Sequence, residues 1–145
     1  MTKEDEWYKN RILWKATKNN LFDYDCIEFS ELLKEQQEFI KKLIPDNAIP
    51  VIVFWKDFDT WTLLCTQMLI SYYDDKLQIV PKDKLNQRKT LYIEKDGKEI
   101  ENYQKKEAKW LYMTDTKQYI WLPTSKSLWS FWPVLLTLSS LAIRK

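Results

Sequence analysis

The stretch from Val51 to Val80 holds the densest β-branched and aromatic content of this 145-residue chain. Such residues favour the pleated, half-buried surface of a β-sheet. Polar and turn-forming residues divide the stretch into four predicted strands, Val51–Trp55, Trp61–Thr66, Met68–Tyr73 and Leu77–Val80. Strands this closely spaced are joined by hairpins, so the centre of the chain predicts an antiparallel meander.

Two further hairpins are predicted after this stretch. Asp96-Gly97 is the strongest hairpin signal in the chain, because a type I′ turn needs positive φ at both central residues. It separates the predicted strands Lys89–Glu94 and Lys98–Tyr103, and a last hairpin joins Lys109–Met113 to Gln118–Leu122. We therefore expect eight short strands connected as a meander.

Helices are predicted on the N-terminal side of the sheet. Residues 2–18 predict a helix capped by Thr2 and Asp5, on which Trp7 and Trp14 share a face. A second helix is predicted over residues 28–44, because six apolar residues recur at helical spacing. These six are Phe29, Leu32, Leu33, Ile40, Leu43 and Ile44.

The C-terminal segment Ser125–Ile143 is apolar and has no charge from Leu128 onwards. It could anchor the chain in a membrane or pack as a terminal helix against the sheet. We favour the packed helix, because the uncharged stretch is shorter than the roughly 20 residues that span a bilayer. Ser130 is the expected N-cap, which places Pro133 in the first turn, where its missing N–H costs little.

Together these elements predict a single α+β domain over residues 1–145. It comprises a helical extension (1–45), an antiparallel sheet (50–122) and a closing helix (125–143). The sheet is expected to be a meander or a partly open barrel.

The composition argues against catalysis. One glycine leaves no phosphate-binding loop, and the absence of histidine removes the commonest general base and metal ligand. Cys26 and Cys65 are too few for a zinc site and have apolar neighbours, so we expect buried, reduced thiols. We therefore expect no enzyme activity, no cofactor and no bound metal.

The net charge and the N-terminal sequence limit which partners and which cellular location are expected. The net charge of +2 is too small to steer a polyanion, so no nucleic-acid partner is expected. The N-terminus is charged and carries no apolar signal segment. We expect a cytoplasmic protein without a transmembrane span.

Two stretches of the chain carry a family resemblance. Asp59–Lys76 has a hairpin in which Trp-Thr and a hydrophobic residue are followed by threonine, hydrophobic residues, serine and a turn, and Leu122–Leu138 leads from a polar segment into an aromatic helix. Both resemble small uncharacterised bacterial proteins of the pleckstrin-homology-like type, whose element order is also similar. Some of these proteins are thought to be toxin-immunity proteins. The resemblance implies a binding protein and carries over no catalytic motif.

The loop between the first two central strands is the candidate binding site. Trp55, Asp57, Phe58 and Asp59 lie in it, and Trp61 opens the next strand. Tryptophan and phenylalanine beside charged residues are typical of interaction hot spots. The alternative, which eight tryptophans in a small domain favour, is that these aromatic side chains pack in the core or at its rim.

Two pairs of carboxylates accompany this loop, namely Asp57 with Asp59 and Asp74 with Asp75. Such pairs could bind a divalent cation or act as an acid/base pair. No third oxygen ligand or glycine follows at loop spacing, so we favour solvated turn residues. In a binding protein the same carboxylates could face a basic groove on a nuclease-type toxin.

A basic run follows the central strands, with acidic residues interleaved. Its members are Lys82, Lys84, Arg88, Lys89, Lys95 and Lys98. It could be a phosphate or phosphoinositide patch, but the mixed signs favour a solvated face.

The sequence therefore predicts a non-catalytic binding protein, most specifically an immunity protein that neutralises a bacterial toxin by direct binding. The alternatives are a pleckstrin-homology-like lipid or membrane-surface module and an enzyme with an unfamiliar carboxylate site. The predicted binding residues are Trp55, Asp57, Phe58, Asp59, Trp61, Asp74 and Asp75.

Overall fold

The computed structural model of the protein describes residues 1–95, 97 and 106–143. The helices are α1 (Lys3–Lys18), α2 (Lys34–Leu43) and α3 (Ser125–Ile143). The strands are β1 (Ile27–Glu28), β2 (Pro50–Asp57), β3 (Thr60–Cys65), β4 (Met68–Tyr73), β5 (Lys76–Pro81), β6 (Lys89–Tyr92), β7 (Trp110–Met113) and β8 (Gln118–Trp121). Short 3₁₀ helices cover Leu21–Asp23, Phe29–Glu31 and Lys82–Lys84.

The described strands form two antiparallel sheets. One has five strands in the order β1-β2-β3-β4-β5, and the other has three in the order β6-β7-β8. The predicted α+β class and antiparallel meander are confirmed, and the four central strands end within two residues of their predicted bounds. The two sheets do not close into a barrel.

Hydroxyl groups connect the two sheets where backbone pairing is missing. Thr62 and Ser71 lie opposite each other on β3 and β4, with their oxygens 2.8 Å apart. The Thr62 hydroxyl donates to the carbonyl of Trp121 (2.5 Å), and the Trp121 N–H donates to the Ser71 hydroxyl (3.0 Å). These buried groups form a closed ring of hydrogen bonds, which satisfies the backbone of β8. Beside it, the Tyr73 hydroxyl donates to the carbonyl of Tyr119 (2.7 Å).

The five-stranded sheet is buried on both faces. Ile52 and Phe54 point towards α1 and α3, and the Phe54 ring meets the Phe131 ring edge-on at 4.9 Å. Val53 and Trp61 point to the opposite face, where they share a core with Ile40 of α2. Because successive residues of a strand face opposite sides, a strand covered on both sides reads as a continuous apolar run.

Asp5 joins the start of α1 to the turn between β3 and β4. The predicted capping box with Thr2 is confirmed, since the Asp5 N–H donates to the Thr2 hydroxyl (3.0 Å). The Asp5 carboxylate also accepts hydrogen bonds from the Thr66 hydroxyl (2.6 Å) and the Gln67 amide (2.9 Å). These donors, Gln67 first and then Thr66, lower the pKa of Asp5 from 3.8 to about 2.

We expect Asp5→Asn to remove an acid-sensitive part of the stability. The Asp5 pKa is lower in the folded state, so its contribution is full above about pH 4 and is lost as the pH falls to about 2. The variant should lose about 1–2 kcal/mol at neutral pH, because a charged acceptor is replaced. Urea unfolding of the wild type and the variant between about pH 2 and neutral pH measures this loss. If the free energies of unfolding of the two proteins change in parallel with pH, the prediction is contradicted.

The predicted helix over residues 28–44 is wrong in its first third. Ile27 and Glu28 instead form the edge strand β1, paired with Val53 and Ile52 of β2. A 3₁₀ turn follows, and α2 begins only at Lys34. Apolar spacing alone did not distinguish these alternatives, because pairing with β2 depends on residues that lie far along the chain.

Side-chain hydrogen bonds define the true start of α2. Gln36 accepts from the Leu33 N–H (2.9 Å), and the Gln37 amide donates to the Leu32 carbonyl (2.9 Å). Leu33 and Leu43 were predicted on the buried stripe, but their side chains are 62% and 38% exposed. The helix therefore buries a narrower face than its sequence pattern predicts.

The turn at Asp74 and Asp75 contains no glycine. It nevertheless has the two positive φ angles that were predicted for the turn at Asp96-Gly97. Both residues have positive φ, 51° and 59°, between the paired residues Tyr73 and Lys76. The predicted type I′ turn includes Asp96, which lies outside the described residues. The predicted strand 98–103 lies outside the described residues, and β6 pairs with β7.

Helix α3 spans the predicted residues 125–143, but its N-cap differs from the prediction. The Ser127 N–H donates to the Thr124 hydroxyl (3.1 Å), so Thr124 caps the helix and the prediction of Ser130 is wrong. Pro133 consequently lies inside the helix rather than in its first turn. The Ser127 hydroxyl donates to the Tyr24 carbonyl (2.6 Å), which ties the start of α3 to the segment after α1. Among residues 1–95 and 106–143, no helix combines the length and apolarity needed to cross a membrane.

Candidate functional site

The hairpin turns β2–β3 and β4–β5 lie at the same end of the five-stranded sheet. Trp61 at the start of β3 is paired with Tyr72 at the end of β4, which places the two turns on neighbouring hairpins. Strands in a sheet lie about 4.8 Å apart, so the turns are close neighbours. We call this region the acidic end, and its carboxylates are Asp57, Asp59, Asp74 and Asp75.

Phe58 is the exposed aromatic residue of the acidic end. Its ring meets the Trp55 ring edge-on at 5.1 Å and the Phe39 ring of α2 edge-on at 5.2 Å. The side chain is nevertheless 42% exposed. Edge-to-face contacts of this kind hold a ring in one orientation. Phe58 is therefore an aromatic side chain at the surface whose orientation is fixed by two neighbouring rings.

The four carboxylates have different surroundings. Asp57 accepts a hydrogen bond from the Asp59 N–H (2.8 Å), which stabilises the turn, and both side chains are exposed. Asp74 forms an ion pair with Lys95 (2.7 Å), whose ammonium group also lies 5.4 Å from the centre of the Tyr73 ring. These contacts agree with the favoured interpretation of turn carboxylates. Because Lys56 and Lys76 are exposed in the same two turns, the surface keeps only a small excess of negative charge.

Trp61 lies in the core, not at the surface. Its side chain is 0% exposed and its ring stacks on that of Tyr72, with 5.2 Å between the ring centres. Its indole N–H has no hydrogen-bond partner among the residues that the structure describes. Of the two interpretations of the aromatic loop, core packing holds for Trp61 and surface exposure holds for Phe58, while Trp55 is partly buried.

Sequence reasoning missed Phe39, which supports Phe58 from α2. Phe39 is partly buried, and it stands outside the apolar stripe of the predicted helix. A large apolar side chain off the stripe of an amphipathic helix is the signal that could have identified a second contact.

The potential metal ligands are dispersed in the part of the chain that the structure describes. No three His, Cys, Asp or Glu side chains there are placed to hold a metal ion. Cys26 and Cys65 are free and buried, as predicted, and desolvation raises the pKa of both thiols. Neither is a reactive thiolate, because a thiol with a raised pKa stays protonated at neutral pH.

The basic run that follows the central strands, for which a solvated face was favoured, is divided by contacts within the fold. Lys82 pairs with Glu4 (3.2 Å) and lies 4.0 Å from the centre of the Tyr8 ring. The Lys89 ammonium group donates to the Gln87 carbonyl (3.0 Å), and burial lowers its pKa. Lys84 and Arg88 are exposed, and Lys98 lies outside the described residues.

A groove of about 500 Å³ lies between the start of α1, the end of α2 and the sheet edge at β1 and β2. Its lining includes Lys9, Glu28, Phe29, Lys41, Pro50 and Val51. The sequence analysis did not predict it, because its wall depends on the unpredicted strand β1. The groove combines both signs of charge and contains none of the predicted site residues.

No protein-family model, curated protein or solved structure matches this chain. The resemblance to pleckstrin-homology-like bacterial proteins therefore stays a prediction.

Proposed function

We propose that this protein is a non-catalytic binding protein whose acidic end binds a basic surface of another protein. In its most specific form, the proposal is that it is a cytoplasmic immunity protein that neutralises a bacterial toxin. The observation that carries the proposal is the position of Phe58, which is exposed among carboxylates and held by two neighbouring rings.

An exposed aromatic ring that its neighbours hold in one orientation is well suited to act as a binding anchor. Ordering a mobile side chain on binding costs about 0.5–1.5 kcal/mol, and a ring already held by its neighbours avoids much of this. Phe58 lies at the tip of the turn between β2 and β3, and its ring contacts Trp55 of β2 and Phe39 of α2. It can enter a pocket on a partner without a rearrangement of the loop.

The carboxylates supply charge complementarity around this anchor. Asp57, Asp59 and Asp75 are exposed, and Asp74 is partly neutralised by Lys95. Negative charge at the rim of an interface accelerates association with a basic partner and disfavours acidic ones. A basic, nucleic-acid-binding groove on a toxin has the matching chemistry.

The test is a neutralisation assay with the protein encoded by the adjacent reading frame. We expect that protein to stop growth of a bacterial host when expressed alone, and co-expression of this chain to restore growth. In direct binding, Phe58→Ala should raise Kd about 10- to 100-fold, because hot-spot truncations cost about 2 kcal/mol. Asp59→Asn with Asp75→Asn should mainly slow association and weaken its salt dependence.

Leu136→Ala is the matched control, because Leu136 is 46% exposed on α3 and is not part of the acidic end. It should leave binding and neutralisation unchanged. If the neighbouring protein is not toxic, or if this chain neither binds nor neutralises it, the immunity proposal fails. If Phe58→Ala binds as well as Leu136→Ala, the acidic end is not the binding surface.

A further inference from the structure

Helix α1 carries a stripe of alternating tryptophans and cations on its exposed side. Trp7, Arg11, Trp14 and Lys18 follow one another at spacings of four, three and four residues, which places them on one face. The Arg11 guanidinium lies 5.4 Å from the centre of the Trp7 ring, and the Lys18 ammonium lies 4.7 Å from that of Trp14. We call these four residues the α1 outer face.

The fold does not need these tryptophans for its core. The buried residues of α1 are Asp5, Tyr8, Ile12 and Ala16, which lie on the other side of the helix. Trp7 and Trp14 are 43% and 53% exposed. Two large aromatic side chains left at the surface of one short helix point to contact with another surface.

The charge of this region is mainly positive, although Glu4 lies on the same stripe, three residues before Trp7, where it pairs with Lys82 (3.2 Å). Residues 7–18 contain Lys9, Arg11, Lys15 and Lys18 and no carboxylate. Helix α3 packs against α1, and its segment 125–143 has Lys126 as its single charged residue. Helix α3 also exposes Trp129 and Leu136, at 41% and 46%. The two adjoining helices thus combine exposed aromatic rings with positive charge.

We infer that the α1 outer face docks on an anionic lipid surface. Indole rings are favoured at the headgroup level of a bilayer, because one part of the ring system is apolar and the N–H is polar. Arg11 and Lys18 would lie beside them among the lipid phosphates. Each basic residue near such a surface strengthens binding by about fivefold.

A lipid surface fits this face better than a nucleic acid. Proteins that bind single strands combine stacking rings with a positively charged groove that follows the backbone. The α1 outer face is the convex side of a helix, with its cations placed over the rings. This docking is independent of the proposed protein partner, because Phe58 and the acidic turns belong to other elements.

The experiment is co-sedimentation of the full chain with vesicles of phosphatidylglycerol and phosphatidylcholine, and with vesicles of phosphatidylcholine alone. We expect binding to the anionic vesicles that weakens as salt is added. Trp7→Ala with Trp14→Ala should weaken binding at least tenfold, and Arg11→Gln with Lys18→Gln about 25-fold. Circular dichroism would establish that each variant is folded, and Leu33→Ala serves as the control with normal binding.

Three outcomes would overturn the inference. The first is equal binding to both kinds of vesicle, or no binding to either. The second is a folded Trp7→Ala, Trp14→Ala variant that binds like the wild type. The third is tight binding of a single-stranded oligonucleotide that is lost in the same variant while vesicle binding is absent, which would assign the face to nucleic acid.

Discussion

Replacing Trp61 with alanine is expected to lower the free energy of unfolding by about 3–5 kcal/mol, as truncation of a large core side chain does. Trp61 is 0% exposed, stacks on Tyr72 and packs in the core between the five-stranded sheet and α2. The cavity left by the indole would be lined by a sheet that cannot collapse into it. Urea unfolding followed by circular dichroism measures the loss.

Trp61→Phe is the matched variant, because it keeps an aromatic ring and removes the unpaired indole N–H. We expect it to cost clearly less than the alanine variant, since no buried donor is left without a partner. A loss below about 1 kcal/mol for Trp61→Ala would contradict the core position. The result matters for function as well, because weaker partner binding by this variant would reflect unfolding rather than a lost contact.

Combining Thr62→Val with Ser71→Ala is expected to cost about 3 kcal/mol and to loosen the contact between the two sheets. The pair leaves both the N–H and the carbonyl of Trp121 without their partners in the core. Each single substitution should cost more than half as much as the pair, because each removes two of the three hydrogen bonds of the ring. Hydrogen exchange of the Trp121 amide should be accelerated along with the loss of stability.

Thr17→Val with Ser140→Ala makes the same chemical changes at exposed positions of α1 and α3. This control should change stability by less than about 0.5 kcal/mol for each site. If the Thr62 and Ser71 substitutions add independently, or if the Trp121 amide exchanges at its original rate, the ring does not act as one unit.

Local signals in the sequence were enough for the four central strands and for the start of α1. Met68–Tyr73 was predicted with its exact bounds as β4, because turn residues delimit an apolar run. The capping box of Thr2 and Asp5 was likewise predicted, since both partners lie within one helical turn. The burial of both cysteines followed from their apolar neighbours.

The candidate site was predicted in part. The sequence identified the aromatic loop and the two acidic turns, but it did not show that they share one end of a sheet. That relation depends on the register of β3 against β4. The support of Phe58 by Phe39 and the core position of Trp61 depend on how α2 packs on the sheet, which no local pattern contains.

The sequence by itself determined the central strands, helix α1 and the bounds of α3, because hydrophobic periodicity, caps and turns act over a few neighbouring residues. Only the tertiary structure decided how those segments meet. It recruited Ile27 and Glu28 as an edge strand, and it joined β8 to β3 and β4 through hydroxyl groups 50 and 59 residues away. Such contacts are decided by burial and hydrogen-bond satisfaction of the whole fold, since a buried backbone group must find a partner wherever the chain supplies one.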